Sequence, residues 1–284
     1  MNASANAPHA ASADLRHLSG PIVLVGAGKM GSALLEGWLR FGLEPHNLVV
    51  IEPQPSAQIA ALTARGTRLN PQRHGLTDVA AIVLAVKPQQ AAQVVPVLSP
   101  MLADATMVVS IMAGRTLQSI AGALGQSCAL VRAMPNTPAA IGRGITVAVA
   151  RGASAAQCDL AHRLLAATGH VEWVEDEALL DAVTAMSGSG PAYVFLLAEA
   201  LAQAGTAVGL PASLAAKLAR ETVAGAGELL HRSTAEAATL RKDVTSPGGT
   251  TAAALDVLMG KDGLAALMTR AVTAAARRSR ELAG

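Results

Sequence analysis

Aromatic side chains are nearly missing from this chain: two Phe, two Trp and one Tyr stand among 284 residues. Without rings there is no base-stacking platform of the kind single-stranded nucleic acid uses. The core must therefore be built from Ala, Leu, Val and Ile, and a sequence rich in Ala and Leu favours helix. Charge of one sign is lacking too. A formal net charge of +2 implies neither a basic surface for nucleic acid nor an acidic tail. Cysteine occurs twice, at Cys128 and Cys158. Two isolated thiols give no disulfide framework and no metal-ligand spacing, which fits a reducing cytosol. The histidines show no ligand spacing either, so no metal is expected, and His231 reads as a cap at a helix C-terminus. No apolar run approaches a membrane span. Residues 1–20 lack the hydrophobic segment of a signal peptide and read as a disordered tail. These absences describe a soluble cytoplasmic protein with neither nucleic acid nor membrane as a partner.

What is present is length and apolar content. At 284 residues and 51% hydrophobic, the chain can bury two separate cores. Pro21 to Val25 is a short, continuously apolar, β-branched run, as expected of a strand buried on both faces. Gly26-Ala27-Gly28-Lys29-Met30-Gly31 follows at once, and Ser32 to Leu43 reads as a helix. Strand, G-x-G-x-x-G and helix in that order form the context of a dinucleotide fingerprint. Gly26 makes the tight turn, Gly28 admits the pyrophosphate, and Gly31 lets the helix pack on the strand. A second strand, Asn47 to Ile51, ends at Glu52, about twenty residues on, where an acid hydrogen-bonds the adenosine ribose. A carboxylate there repels a 2′-phosphate and leans toward NAD. Arg65, Arg68, Arg73, Gln54 or Ser56 could serve a phosphate instead, and Glu52 could equally be a solvated strand end.

Further buried strands run from Val79 to Val86, Thr106 to Gly114, Ala129 to Met134 and Gly144 to Ala150, with a helix at Ser154 to Thr168 and an edge strand at His170 to Val174. Strands alternating with helices predict a mostly parallel sheet covered on both faces. Ligands bind outside the carboxyl ends of such strands. Lys87, before Pro88, is therefore placed to reach cofactor or substrate, although a solvated surface lysine is the plainer alternative. The small residues closing the Thr106 strand suit the face of a nicotinamide ring. Pro135-Asn136-Thr137-Pro138 fixes a turn at the same edge. The acidic run Glu172 to Asp181 reads as a solvated connection between domains.

Beyond Leu179 only helical patterns remain: about 180–208, 211–231, 234–244, 250–259 and 264–282. Several are apolar well beyond one stripe, as in Ala192 to Ala198, and such helices must be buried. About a hundred residues offer few partners within one chain, so pairing with a second copy in an intertwined homodimer is expected. Met186 to Tyr193 sets small residues in a row, for close approach by a helix or a ligand. The stretch Ser246-Pro247-Gly248-Gly249-Thr250-Thr251 joins a proline turn and two glycines to the start of an alanine-rich helix. Backbone N–H groups without intrahelical partners lie there, and such a place binds small anions, carboxylates included.

Taken together these motifs resemble the pyrroline-5-carboxylate reductase family. Val244 to Leu255 carries the likeness most specifically. Val183 to Phe195, Ala85-Val86-Lys87-Pro88 and Met134 to Pro138 match it in the same order, and the likeness spans nearly the whole chain after the tail. The resemblance implies reduction of L-1-pyrroline-5-carboxylate to L-proline by NADPH or NADH, the last step of proline biosynthesis. It implies an α/β fold: a Rossmann-type, mostly parallel dinucleotide-binding domain over 21–177, then an all-α dimerisation and substrate domain over 178–284. The cofactor site implied is Gly26 through Gly31, Glu52 and Pro53, Ala85 through Pro88, and Met112-Ala113-Gly114. The substrate site implied is Ser246 through Thr251, near the interface of an obligate dimer, and some relatives assemble dimers into decamers. Relatives often carry a serine at the position of Glu52, or an Asn-Arg pair there that favours the 2′-phosphate; this chain departs from that pattern.

A cyclic imine with a carboxylate suits such a site. Backbone N–H groups at Gly248, Gly249 and Thr250 hold the carboxylate. Thr251 is the candidate donor to the imine nitrogen, orienting rather than ionising, with water as proton source; Lys87 is the second candidate catalytic residue. A β-hydroxyacid dehydrogenase is disfavoured, because no lysine follows Gly188 until Lys217. An imine reductase acting on another small cyclic imine and a non-catalytic dinucleotide sensor are the other readings.

Overall fold

Short runs of buried apolar residues form the strands in the computed structural model, which describes residues 13–72, 76–125 and 127–283. The strands are β1 (Ile22–Val25), β2 (Leu48–Ile51), β3 (Arg68–Leu69), β4 (Ala81–Leu84), β5 (Met107–Ser110), β6 (Ala129–Met134), β7 (Gly144–Arg151) and β8 (Gly169–Trp173). Every residue of β1, β4 and β5 is buried, as befits parallel strands covered on both faces. They form one sheet in the order β3-β2-β1-β4-β5-β6-β7-β8. All neighbours are parallel except β6 and β7, whose short connection suits an antiparallel pair and not a helical crossover. β1 pairs with β2 on one side, Val25 opposite Ile51, and with β4 on the other, Val25 opposite Leu84. The winding of the chain reverses at β1, and in open α/β sheets such a reversal opens a crevice at the carboxyl ends of the strands.

The helices are α1 (Lys29–Arg40), α2 (Ala57–Ala61), α3 (Ala91–Val94), α4 (Leu117–Leu124), α5 (Ala155–Ala166), α6 (Leu179–Val183), α7 (Gly190–Ala207), α8 (Ala212–Arg232), α9 (Ala237–Asp243), α10 (Thr250–Leu258) and α11 (Leu264–Ala283). One face of the sheet packs on α1 and α5 through Leu34, Trp38 and Leu164. The Trp38 indole N–H donates to the Leu164 carbonyl at 2.8 Å, so the polar tip of this fully buried ring is satisfied. The other face packs on α4 and the residues around Leu98. Ser154 caps α5 and Thr116 caps α4 through their hydroxyls, each occupying an N–H that has no intrahelical partner.

Two compact units make up the chain: 1–188 together with 277–284, and 189–276. Three expectations change within them. Residues 13–20, read as part of a disordered tail, are packed: Leu15 is buried and its N–H donates to Phe41 O at 3.0 Å, while Asp14 O accepts from Arg163 at 3.0 Å. Leu15 and Leu18 among polar neighbours are too few for a pattern-based reading to register; residues 1–12 lie outside the described residues. The acidic run is not simply solvated. Glu177 accepts from the buried Arg132 guanidinium and from the Leu117 N–H at the start of α4, both at 2.8 Å. Asp181 accepts from Ser279 Oγ at 2.6 Å. The single helix expected over 180–208 is broken by a π-helical turn, Thr184–Gly188. There Thr184 and Ser187 return their hydroxyls to the carbonyls of Leu180 and Val183, and Pro191 then starts α7 where its missing N–H costs nothing.

In the second unit, α7 and α8 meet where a Cβ on Gly205 would stand 3.2 Å from that of Ala215. Among the described residues of this unit, only Ala215 and Ala219 are buried hydrophobics. Phe195 (63% exposed), Leu229 (68%) and Val257 (75%) lie open. Helices with this much apolar surface leave a face that one chain does not cover. No helix among the described residues is long and apolar enough to cross a membrane.

Candidate functional site

The turn after β1 is shaped by its glycines. Gly26 has φ +90°, and a Cβ there would lie 2.8 Å from Ala85 O. Its N–H donates to Ile51 O at 2.9 Å. Gly31 lies so close beneath the turn that a Cβ would be 2.2 Å from Gly26 O. Gly28 differs: a Cβ there would meet nothing within 4 Å. No protein atom requires glycine at this position, so its smallness serves whatever approaches from outside. The helix that follows, α1, starts at Lys29 with no side-chain cap and no acidic residue in its first turn. Its N-terminal N–H groups, at Lys29, Met30 and Gly31, are thus left for an anion.

Glu52, just past β2, faces this turn. Its Oε2 accepts from Ala27 N at 2.8 Å and its Oε1 from Gln54 N at 3.0 Å. Its main chain is held twice by one side chain, with Glu52 N donating to Asn70 Oδ1 and Asn70 Nδ2 donating to Glu52 O, both at 2.9 Å. Asn70 adopts φ +47°, a region that Asn tolerates better than most residues. After β4, Ala85 N donates to Val25 O at 2.8 Å, which carries the chain out beside the glycine turn. Lys87 is exposed there. The Arg115 guanidinium donates to Pro88 O through Nε at 3.1 Å and Nη2 at 3.0 Å, fastening the segment after β4 to the segment after β5.

These pieces surround a cavity of about 540 Å³ at the carboxyl ends of β1, β2 and β4. Of the residues expected to bind a cofactor, Gly26, Gly28, Glu52, Pro53, Ala85, Val86 and Lys87 line it. Ala27, Lys29, Met30, Gly31 and Pro88 adjoin it in sequence without lining it. Met112 is 2% exposed and belongs to the core beneath the sheet, so only its main chain could meet a ligand. Ala113 is exposed, and Gly114 turns the chain with φ +68°. A larger cavity of about 730 Å³ is lined by His17, Asp78, Thr106 and Arg163. It lies at the amino ends of β4 and β5, the end of such sheets that does not take ligands, and the smaller cavity is the candidate site.

In the second unit the predicted carboxylate site is a turn entering α10. Gly248 has φ +71° with open space where a Cβ would be, and Gly249 N donates to Ser246 O at 3.0 Å. Gly249 takes the N-cap position of α10 without a side-chain cap. Ser246, Pro247, Gly248, Thr250 and Thr251 are exposed. Among the described residues no group of three or more His, Cys, Asp or Glu is gathered as a metal would need. Sequence reading missed Asn70, Arg115 and the Arg132–Glu177 pair. Each acts across a long sequence separation, and Asn70 alone gave a hint, as an Asn just before a proline.

A family model described as pyrroline-5-carboxylate reductase dimerisation matches residues 177–282. One described as NADP oxidoreductase coenzyme F420-dependent matches residues 21–114. The pyrroline-5-carboxylate reductase of Pseudomonas aeruginosa is 40% identical over 265 residues, covering 92% of this chain and 96% of its own. That of Pisum sativum is 39% identical over 260 residues, covering 91% and 94%. Among solved structures, a pyrroline-5-carboxylate reductase from Coxiella burnetii superposes with TM-score 0.86 at 34% identity, covering 94% of this chain and 100% of that one. A Plasmodium falciparum pyrroline carboxylate reductase with NADP bound gives TM-score 0.77 at 28% identity, covering 93% and 98%.

Proposed function

The chain belongs to the pyrroline-5-carboxylate reductase family, and from that premise we propose how its residues divide the work. It is an NAD(P)H-dependent oxidoreductase that reduces L-1-pyrroline-5-carboxylate to L-proline, the last step of proline biosynthesis. The observation that carries the proposal for the cofactor is the glycine turn: an uncapped helix start behind a glycine whose missing Cβ faces open space. Those residues fit a dinucleotide. Within Gly26 through Gly31, the backbone N–H groups at the start of α1 would hold the pyrophosphate while Gly26 and Ala27 shape the turn, Glu52 and Pro53 would meet the adenosine ribose, and Ala85 through Pro88 with Met112-Ala113-Gly114 would bound the rest. NADP and NAD are both accommodated in this outline.

When bound, the reduced dinucleotide supplies the hydride that the imine carbon accepts. The protein's own task is alignment. Backbone N–H groups at Gly248, Gly249 and Thr250 grip the substrate carboxylate, with Ser246 and Pro247 fixing the turn. The Thr251 hydroxyl donates to the imine nitrogen and draws electron density of the C=N bond toward nitrogen, leaving the carbon open to hydride. A Thr hydroxyl is too weak an acid to ionise here, so the proton that nitrogen gains comes from water relayed past it. Lys87, exposed on the cavity wall, contributes positive charge that favours an anionic ligand. Holding the two reactants at reacting distance supplies much of the rate.

The dimerisation segment at residues 177–282 and the open apolar faces of α7, α8 and α10 support a homodimer; a higher assembly of dimers such as a decamer and a place in the cytoplasm are further parts of the proposal. Absorbance at 340 nm tests the proposal: oxidation of reduced nicotinamide that depends on pyrroline-5-carboxylate, and that is lost when the turn at 246–251 is altered, is the expected result. Full turnover in a variant with Gly248 and Gly249 both replaced by valine would refute the substrate assignment.

A further inference from the structure

Glu52 is held more firmly than a solvated strand end would be. Each carboxylate oxygen receives one backbone N–H, from Ala27 and from Gln54, and the Asn70 amide grips the main chain from both sides. A carboxylate offers about four acceptor positions, so two remain after these bonds. The same side chain lines the cavity at the carboxyl ends of β1, β2 and β4. Among the described residues lining that cavity, Lys87 is the one cation, and no arginine is present. Ser56, one of the other donors a phosphate could use, does not line the cavity; its Oγ accepts from Ile59 N at 3.3 Å at the start of α2. Arg65 and Arg68 do not line the cavity, and Arg73 lies outside the described residues.

We propose that Glu52 sets the cofactor preference of this chain toward NADH, by accepting the adenosine 2′-hydroxyl and repelling a 2′-phosphate. The inference rests on the glycine turn being the dinucleotide site. A 2′-hydroxyl carries a proton to donate and can use one of the two free positions on the carboxylate without breaking either existing bond. A 2′-phosphate is largely dianionic at neutral pH, its second pKa being near 6. It brings acceptors only, against a fixed negative charge that cannot turn away without releasing both the Ala27 and the Gln54 N–H groups. The Ala27 bond has a second effect. It directs a backbone N–H of the glycine turn at Glu52 and away from the ligand, so the carboxylate and the turn form one unit.

Isothermal titration of the full-length protein without substrate tests this with four probes: NADH, NADPH, 5′-AMP and adenosine 2′,5′-bisphosphate. The expected result is a Kd for NADH at least ten-fold below that for NADPH, with 5′-AMP ahead of the bisphosphate in the same sense. Glu52→Gln and Glu52→Ser are expected to narrow or reverse the ratio, with NADPH binding at least five-fold tighter than to the wild type. Equal or tighter binding of NADPH by the wild type overturns the inference. So does a Glu52→Gln protein in which both cofactors weaken together at an unchanged ratio, since that outcome makes Glu52 an anchor of the turn and nothing more. Should either variant fail to fold, the wild-type comparison of the two fragments decides alone. A protein that prefers NADH in titration yet does not reduce the imine supports this inference and overturns the reductase assignment, so the two fail separately.

Discussion

Alanine at Gly28 and alanine at Gly31 separate a glycine needed by a ligand from one needed by the fold. At Gly31 the added Cβ would stand 2.2 Å from the Gly26 carbonyl oxygen and 3.1 Å from its carbon. Both are backbone atoms of the tight turn, so nothing can rotate aside. Forcing an extra carbon into such a contact costs about 1–3 kcal/mol, and in a chain of this size each kcal/mol lowers Tm by about 2–4 °C. At Gly28 the added Cβ meets no protein atom within 4 Å, and the residue's φ of −67° and ψ of −166° suit any L-residue. Replacing an N-cap glycine by alanine costs about 0.5–1 kcal/mol, so Tm should fall by about 1–4 °C, less than at Gly31. Binding should respond oppositely. A methyl group standing where the pyrophosphate must approach removes one charge-assisted hydrogen bond of about 1.5–3 kcal/mol, a rise in Kd of about ten-fold to a hundred-fold. Thermal melts and calorimetric titration with NADH and NADPH on both variants make the comparison. A Gly28→Ala protein that still melts cooperatively and binds either dinucleotide within two-fold of wild type would refute the assignment of this turn to the cofactor. A Gly31→Ala protein with an unchanged Tm would refute the packing argument.

Thr251→Ala is expected to lower kcat about ten- to a hundred-fold with a modest change in KM, while Thr251→Ser retains most activity, as a hydrogen-bonding role demands; steady-state kinetics decide it, and wild-type turnover in the alanine variant would exclude the role. Phe195→Glu sets a charge on the open face of α7, where Phe195 is 63% exposed, and should give monomers by light scattering at micromolar concentration with little loss of helicity. Arg132→Met removes one partner of an ion pair in which the arginine side chain is 7% exposed. Leaving Glu177 without its cation should cost about 3 kcal/mol, read by chemical denaturation, and Glu177→Gln in the same protein should restore part of it. Burial pushes the Cys128 thiol above its usual pKa, so thiolate is scarce at neutral pH. Alkylation of Cys128 by iodoacetamide should therefore lag behind a free thiol at pH 8 and gain speed as pH rises, followed by peptide mass spectrometry.

The sheet was legible because its strands are buried on both faces and therefore continuously apolar. Ile22 to Val25 and Ala81 to Leu84 announce themselves without help from the rest of the chain. β3 was not legible, since two residues, Arg68 and Leu69, carry no periodicity; only pairing beside β2 makes them a strand. The packing of Leu15 escaped for the same reason, as a single apolar residue gains meaning only from the Phe41 carbonyl that its N–H meets. The helix expected over 180–208 failed differently. Its apolar pattern is real, but Thr184 and Ser187 offer the backbone a competing hydrogen bond, and the proline that follows fixes where the interruption must end.

Candidate site residues stand out in the sequence where the proposed chemistry uses the backbone and stay hidden where it uses partners. In the proposal, the glycine turn and the turn at Ser246 to Thr251 act through N–H groups exposed by local geometry, and local geometry is what glycine and proline spell out. The behaviour of Glu52 depends instead on Asn70, eighteen positions away, and on two N–H groups contributed by different loops. Position at the end of β2 makes Glu52 the candidate ribose-facing acid, but position cannot say whether the carboxylate is free to swing aside for a phosphate. That distinction is mechanical. A mobile glutamate would let either cofactor in and exert little preference, whereas one tethered at both oxygens and along its main chain converts the same charge into a fixed barrier. Loosening the tether without altering the charge, as Asn70→Ala would do, should therefore let NADPH approach NADH in affinity even though Glu52 is still present.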